Sequence, residues 1–341
     1  MCVVEYEGIN SFLVGMSKIL LEHGVKRNTR GTICWELPVP VMIKIKNPLS
    51  RWITISERQW NIFLPYAESL WLALGRNDLE FIKYYLPKMI DFSDDGLFLR
   101  GGYGPRLRYY NGNANDYKKT WGSNNKVIFG NKEIDQFYYI TESFKRDSYT
   151  RQAVITIGDT PKDCFNIDGT IKRTKDFPCT CSLQFIRNSV TNKLDLTVYL
   201  RSNDFVWRST AINIFNYTFI QEYMAKILNL EIGNYYHIAN NLHYYEYHRG
   251  LIEKIAQIQV YKDDYYVYNK SFTSLKEFDK ILARFAIWEE KIRVMKLNKL
   301  EDFNDDFFND WAKVLFFKIN KTQPIMFNNP ILNQIINLNH K

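Results

Sequence analysis

The strongest constraint on the fold is the run from residue 181 to 245, where strand and helix periodicities follow one another with little chain between them. CSLQFIR and KLDLTVYLRS alternate apolar and polar residues on either side of SVTN, so they are expected to pair as an antiparallel hairpin. Ile212, Phe215, Phe219, Tyr223 and Ile227 then recur at helical spacing, which predicts a long helix over 211–229 with one buried face. The aromatic segment YYHIANNLHYYEYH returns to an extended pattern. A hairpin, a half-buried helix and another extended segment this close together must share one core.

Upstream, apolar residues from Asn10 to His23 predict a helix capped by Asn10 or Ser11 and ended at Gly24. TICWELPVPVMIKI reads as strands, and Ser56 to Gln59 as a capping box opening a helix. Pro65 opens a further helix that ends at Gly75, and Asn77-Asp78 caps a short one. Asp91 to Lys119 is rich in Gly, Asn and Asp and is expected to be a long loop region, while QAVITI alternates as a strand. SLKEFDKILARFAIWEEKIRVMK and DFFNDWAKVLFF predict two amphipathic helices. With no internal repeat and no low-complexity linker, residues 1–341 are expected to form a single domain with a helical C-terminal extension from about 250 to 341.

A hydrophobic content of 46% suits a soluble globular chain. No stretch reaches the roughly 18 consecutive apolar residues of a spanning helix, so no membrane partner and a cytoplasmic setting are expected. The net charge of +8 is spread along the chain without a nucleic-acid-binding signature. Such scattered charge reads first as a solvated surface rich in Lys and otherwise fits an anionic surface or small phosphorylated ligands; no nucleic-acid polymer is expected. The five cysteines (Cys2, Cys34, Cys164, Cys179 and Cys181) are odd in number and contain no CxxC pair, so neither a disulfide framework nor a zinc cage is indicated. His243, Tyr245 and His248 lack a further ligand at metal-binding spacing, and no metal is expected.

Several residues carry chemistry if they converge. Cys179 follows Pro178 at a strand entry; it is either an inert buried thiol or a nucleophile, which requires the thiolate that a nearby arginine favours. Arg201 and Ser202 offer a planar fork and a hydroxyl for phosphate oxygens, unless Arg201 and Asp204 merely pair within a turn. Glu68 stands in a mostly apolar helix beside Trp71; it is either a paired surface group or, if buried, a carboxyl with a raised pKa suited to proton transfer.

The order of these residues, Cys179, then Arg201-Ser202-x-Asp204, then Asn213, then His243-x-Tyr245-x-x-His248, resembles thymidylate synthase and its relatives the pyrimidine-nucleotide hydroxymethylases. The resemblance runs from about residue 27 to 248. It implies an α+β, two-layer fold: a large mixed sheet covered by helices, forming a homodimer through the sheet face. It implies that Cys179 adds to C6 of the pyrimidine, that Arg201 and Ser202 hold the nucleotide phosphate, and that Asn213 hydrogen-bonds the base edge. Asp204 would bind the pterin ring of the folate, and His243 and Tyr245 the sugar hydroxyl. More faintly, RNTRGT resembles a phosphate loop and makes Arg27 a phosphate ligand. ESLW makes Glu68 the glutamate acting through water at the base carbonyl, and GGYGPRLR makes Tyr103 the tyrosine implicated in removing the C5 proton. Arg151 resembles an arginine reaching the partner's phosphate, with Gln152 where a second arginine is usual. Phe92 lies where an aromatic packs on the folate.

The activity so implied is C5 one-carbon transfer from 5,10-methylenetetrahydrofolate to a uridine monophosphate nucleotide, with dUMP giving dTMP. The alternatives are a pyrimidine-nucleotide 5-hydroxymethylase acting on dUMP, dCMP or CMP, and an inactive nucleotide-binding relative. Asn213 favours uracil, because an amide both donates and accepts where an aspartate only accepts. Position 180 is Thr where His is usual, and Asn240-Asn241 replaces Gly-Asp. FVWRSTAIN approaches Asn213 with one extra residue and without the glycine and proline of the usual segment. The chain ends in LNHK instead of a short apolar tail over the folate, which favours water over hydride as the last acceptor.

Overall fold

The computed structural model describes residues 2–29, 31–121, 133–320 and 325–338. Arg30 of RNTRGT and the terminal His340 and Lys341 lie outside them. Ten strands are described: β1 (Cys2–Tyr6), β2 (Val25–Thr29), β3 (Thr32–Glu36), β4 (Val41–Ile45), β5 (Val154–Thr156), β6 (Thr180–Arg187), β7 (Leu194–Leu200), β8 (Asn203–Asp204), β9 (Ile232–Ala239) and β10 (Leu242–Tyr245). They form a six-stranded sheet in the order β1-β4-β9-β7-β6-β5 and a four-stranded sheet in the order β2-β3-β10-β8. The larger sheet is mixed: β1–β4 and β7–β9 are parallel, and the other neighbours antiparallel.

The expected hairpin is β6–β7, with Leu183 opposite Val198 and Phe185 opposite Leu196 in the core. A register shift between Thr180 and Ser182 marks a bulge just after Cys179, a device that re-aims side chains beside active sites. Strand β9 buries Gly233, Tyr235, His237 and Ala239 on one face, while Ile232, Asn234, Tyr236 and Ile238 stay half-buried on the other. That second face continues through Thr197 and Tyr199 of β7, which pair with Tyr236 and Ile238.

The long helix differs from expectation in two ways. Ile214–Ile227 is buried nearly all round, because its far side carries the C-terminal extension: Phe219 lies 4.5 Å from Phe307 and 4.8 Å from Trp311. A helix apolar on every side belongs between two layers. It is also preceded by a π-helix, Phe205–Asn213, in which the Ile214 N–H donates to the Ser209 carbonyl five residues back. The extra residue of FVWRSTAIN is absorbed in this wider turn.

The extension contains helices Arg249–Ala256, Leu275–Val294, Asp306–Ile319 and Pro330–Leu338, with an irregular crossing from residue 258 to 273. Trp311 Nε1 donates to the Tyr66 carbonyl at 2.8 Å, and Lys270 pairs at 2.6 Å with buried Glu222, which also holds Arg51. Buried apolar residues from Ile9 to Ile336 form one contiguous cluster. Two local expectations need correction. Ser56–Arg58 is only one 3₁₀ turn, because Gln59 turns to φ +46° and stops it. The stretch expected as a long loop from Asp91 begins inside a 3₁₀ helix, Pro87–Phe92, and contains a helix, Tyr103–Arg108.

Candidate active site

Cys179 stands at the entry to β6, and the chain around it is stapled to the end of β7. The Arg201 N–H donates to the Cys179 carbonyl at 2.9 Å. Its guanidinium donates to the carbonyls of Pro178 at 2.8 Å and Phe177 at 3.0 Å, lies over the Phe177 ring, and brings Nη2 to 3.6 Å from the Cys179 sulfur. A fixed cation thus faces the atom that must carry negative charge in a thiolate. Tyr103 begins the helix that the glycine run makes possible: a Cβ at Gly101 or Gly104 would overlap the backbone of Asp176 or Arg76. The Tyr103 hydroxyl oxygen accepts from the N–H groups of Cys179 and Thr180, both at 3.2 Å. Burial, reinforced by Cys179, pushes its pKa up, so it stays a neutral donor.

Helix Phe63–Ala73 is almost wholly buried, and Glu68 is its one charged residue. The carboxyl is 5% exposed, and Oε2 has no hydrogen-bond partner among the described residues. Burial pushes its pKa up to about 7, against the opposing charge of Arg208. Of the two readings the sequence allowed, Glu68 is the buried one.

The π-helix supplies two further groups. Asn213, at its last position, is buried, and among the described residues its amide makes no hydrogen bond. Arg208, not singled out from sequence, lies over the Phe92 ring at 5.9 Å. Burial opposes its charge, but Glu68, Tyr103, Cys179 and Asp176 outweigh that and hold its pKa up. The irregular backbone of this helix is tied from outside. Arg58 Nη2 donates to the Val206 carbonyl at 2.6 Å and Nε to Thr210 Oγ1 at 3.2 Å, while Trp60 Nε1 donates to the Ala211 carbonyl at 2.9 Å. Arg58 was hidden inside the misread capping box; the one signal for Arg208 was the extra residue ahead of Asn213.

Asp204 caps the π-helix, its Oδ1 accepting from Val206 and Trp207 at 2.9 and 3.0 Å. Oδ2 has no partner among the described residues, and is the oxygen a pterin N–H would use. Beside it in the small sheet, His243 pairs with Asp204 in register and shares Nδ1 with Asn241 Oδ1 at 2.9 Å. Burial lowers the His243 pKa, keeping it neutral, and its ring packs edge-on to Tyr245 at 5.4 Å. Ser202 is half-buried at the end of β7. Arg27 lies on exposed β2, paired with Glu36 at 2.9 Å. Arg151 and Gln152 are exposed just before edge strand β5; Gln184 donates to the Arg151 carbonyl and Arg146 to Gln152 Oε1. The structure therefore gathers Cys179, Arg201, Tyr103, Glu68, Phe92 and Arg208, and leaves Arg27, Arg151 and Gln152 at the surface of the protomer.

A roomy cleft between helices Gln136–Arg146 and Leu275–Val294 lies elsewhere and contains none of these groups, so chemistry and not volume locates the site. Among the described residues no group of three His, Cys, Asp or Glu side chains could hold a metal ion, and no helix is long and apolar enough to cross a membrane.

Residues 14–288 match the sequence profile of the thymidylate synthase family. A deoxyuridylate hydroxymethyltransferase of Bacillus phage SP01 is 40% identical over 223 residues, covering 64% of this chain and 53% of that protein. One of Pseudomonas phage M6 is 30% identical over 235 residues, covering 69% and 58%. A thymidylate synthase of Mycoplasma mobile is 25% identical over 162 residues, covering 48% and 50%. The chain spans little more than half the length of these two hydroxymethyltransferases.

Proposed function

Because a chain matched over residues 14–288 belongs to the thymidylate synthase family, we propose that it is a one-carbon transferase acting at C5 of deoxyuridylate, and that its product is the 5-hydroxymethyl nucleotide. The observation that carries the one-carbon reading is the Cys179 sulfur held 3.6 Å from Arg201 Nη2; the buried Glu68 carboxyl and Asn213 amide, which make no hydrogen bond at Oε2 and at the amide among the described residues, are the groups open to the base. The choice of hydroxymethyl is supported by the two phage relatives, each a deoxyuridylate hydroxymethyltransferase.

In this reading Cys179 adds to C6 of the uracil, and the charge that develops on the O4 side meets the Asn213 amide and a water held by Glu68. C5 becomes nucleophilic and takes the one-carbon unit. Tyr103, its hydroxyl oxygen steadied by two backbone N–H groups, stands where a C5 proton is removed. Arg201 and Ser202 bind the phosphate, His243 and Tyr245 the sugar, and Arg27 joins the phosphate when it leaves Glu36. The one-carbon donor would be 5,10-methylenetetrahydrofolate, the co-substrate of the family, with Asp204 Oδ2 on the pterin and Phe92 against its ring.

We read the chain as a single cytoplasmic domain that works as a homodimer. The uncovered sheet face running through Met42, Ile238 and Tyr199 supports this, as does Arg151, exposed beside that face and free to reach a partner's phosphate.

The test is to incubate the full chain with dUMP or dCMP and methylenetetrahydrofolate and weigh the nucleotide. Hydroxymethyl-dUMP supports the proposal. Methyl product with dihydrofolate moves the chain to the synthase reading, and nucleotide binding without release of tritium from C5 marks an inactive relative. Cys179→Ala should abolish every product.

A further inference from the structure

Arg208 is the one cation at the centre of this site that no tether explains. Arg201 is fixed by two carbonyls and Arg58 by a carbonyl and a hydroxyl, whereas among the described residues the Arg208 guanidinium makes no hydrogen bond and no ion pair. Its donors are unused although Glu68, Tyr103, Cys179 and Asp176 all lie within reach of its charge. Glu68 mirrors it: a buried carboxyl whose Oε2 has no partner among the described residues. Two opposite, unsatisfied groups near each other but beyond ion-pair distance leave room for a water that satisfies both.

The backbone beneath Arg208 is built for this position. The extra residue before Asn213 makes the segment π-helical, and Arg58 and Trp60 grip its carbonyls on either side of Arg208. The guanidinium is thereby laid over the face of Phe92, the position at which an aromatic would pack on the folate. A cation and its water on that ring face occupy the ground a hydride donor needs to approach the reacting carbon.

We propose that Arg208 is the specificity-determining residue of the last step: with Glu68 it holds the water that is added, and it keeps the folate from delivering hydride. This rests on the hydroxymethyl reading above. After the folate nitrogen has left, C5 carries an exocyclic methylene while C6 remains bonded to the Cys179 sulfur. The water oxygen bonds to the methylene carbon, its proton passes to the Glu68 carboxylate, and the displaced electron pair moves into the ring toward O4. The pair returns to form the C5–C6 double bond, breaking the C6–S bond and releasing the thiolate. Nothing is oxidised or reduced, and tetrahydrofolate leaves as such. The Arg208 charge opposes the effect of burial on Glu68 and so favours the carboxylate that accepts this proton.

The test uses the full chain and the variants Arg208→Gln and Arg208→Lys, with dUMP carrying tritium at C5. Tritium release reports the steps up to C5 deprotonation, and product mass reports the final acceptor. Arg208→Gln should still release tritium, at a lower rate where its charge no longer supports Cys179, and lower hydroxymethyl product per tritium released by about tenfold or more. The balance should appear as methyl product with dihydrofolate, or as an adduct of an added thiol, with Arg208→Lys intermediate. An unchanged product ratio in Arg208→Gln, or loss of tritium release, overturns this assignment while leaving the hydroxymethyl reading intact. A wild-type chain that releases tritium but forms only methyl product overturns both.

Discussion

Helix Phe63–Ala73 brings Glu68 to the site and the π-helix Phe205–Asn213 brings Arg208 and Asn213, and different forces hold them. The first is regular and almost entirely buried, with Tyr66 and Trp71 in the core and Trp311 of the C-terminal extension closing over it. The second has an irregular hydrogen-bond ladder and depends on side chains from elsewhere: Arg58 and Trp60 on its carbonyls and Asp204 on its first N–H groups. Packing resists deformation in every direction and can therefore confine a carboxyl without a partner. Directed hydrogen bonds fix a backbone at chosen points, which suits a segment whose task is to aim Arg208 and Asn213.

Trp311→Ala gives the harshest test of the packed wall. Trp311 is fully buried against Phe219 and Phe285, so truncation should cost about 3–5 kcal/mol of unfolding free energy, read from denaturant titration. A loss below about 1 kcal/mol would mean that the extension does not brace this helix.

Glu68→Gln probes the cost of the orphan carboxyl in the same wall. The folded pKa of about 7 lies above the ordinary value of 4.5. The protonated form is thus favoured by folding, and the stability this gives is complete below about pH 4.5 and lost as pH rises through 7. The variant should gain on wild type across that window, by up to about 3 kcal/mol on the alkaline side. Turnover should fall about 100-fold, since the base is gone. A stability difference that does not change with pH would mean that the Glu68 carboxyl titrates alike in the folded and unfolded chain.

The two walls were unequally legible in the sequence. Helix Phe63–Ala73 announced itself through its apolar residues between Pro65 and Gly75, although it begins two residues before Pro65, and the hairpin β6–β7 did so because each strand has one core face. The π-helix did not, because its wider turn has no apolar period to count; only the extra residue in FVWRSTAIN marked it. Arg58 was unreadable for another reason. Its partner Val206 is 148 residues away, and nothing local to Ser56–Gln59 distinguishes a long-range tether from a capping box. The site residues of the central stretch were recognisable by order, but the order could not say that Glu68 is unpartnered or that Arg208 lies beside it.

Arg58→Met keeps the stem and removes the donors to Val206 and Thr210. It should cost about 2 kcal/mol, because hydrogen bonds from a charged donor exceed neutral ones. Its signature is a fall in kcat/KM larger than that of Trp311→Ala when both are measured on folded protein, since the tether sets the direction of Arg208 and Asn213. Equal activity losses in the two variants would erase the distinction between a packed and a tethered wall.

Trp60→Phe is the smallest and sharpest change. Phenylalanine keeps an aromatic ring against Phe215, which lies 5.9 Å from Trp60, and removes the N–H that reaches the Ala211 carbonyl together with part of the buried indole. The lost neutral hydrogen bond contributes about 1 kcal/mol to the expected stability loss, and the vacated indole volume about 1 kcal/mol more. Ala211 lies between Arg208 and Asn213, so releasing its carbonyl lets the last turn of the π-helix move at the point nearest the base-recognising amide. The expected kinetic effect is accordingly a rise in KM for dUMP with little change in hydroxymethyl product per tritium released. Arg208→Gln should do the reverse. If Trp60→Phe shifts the product ratio as Arg208→Gln does, the π-helix moves as one rigid unit, and base recognition and choice of the final acceptor are a single property of that backbone.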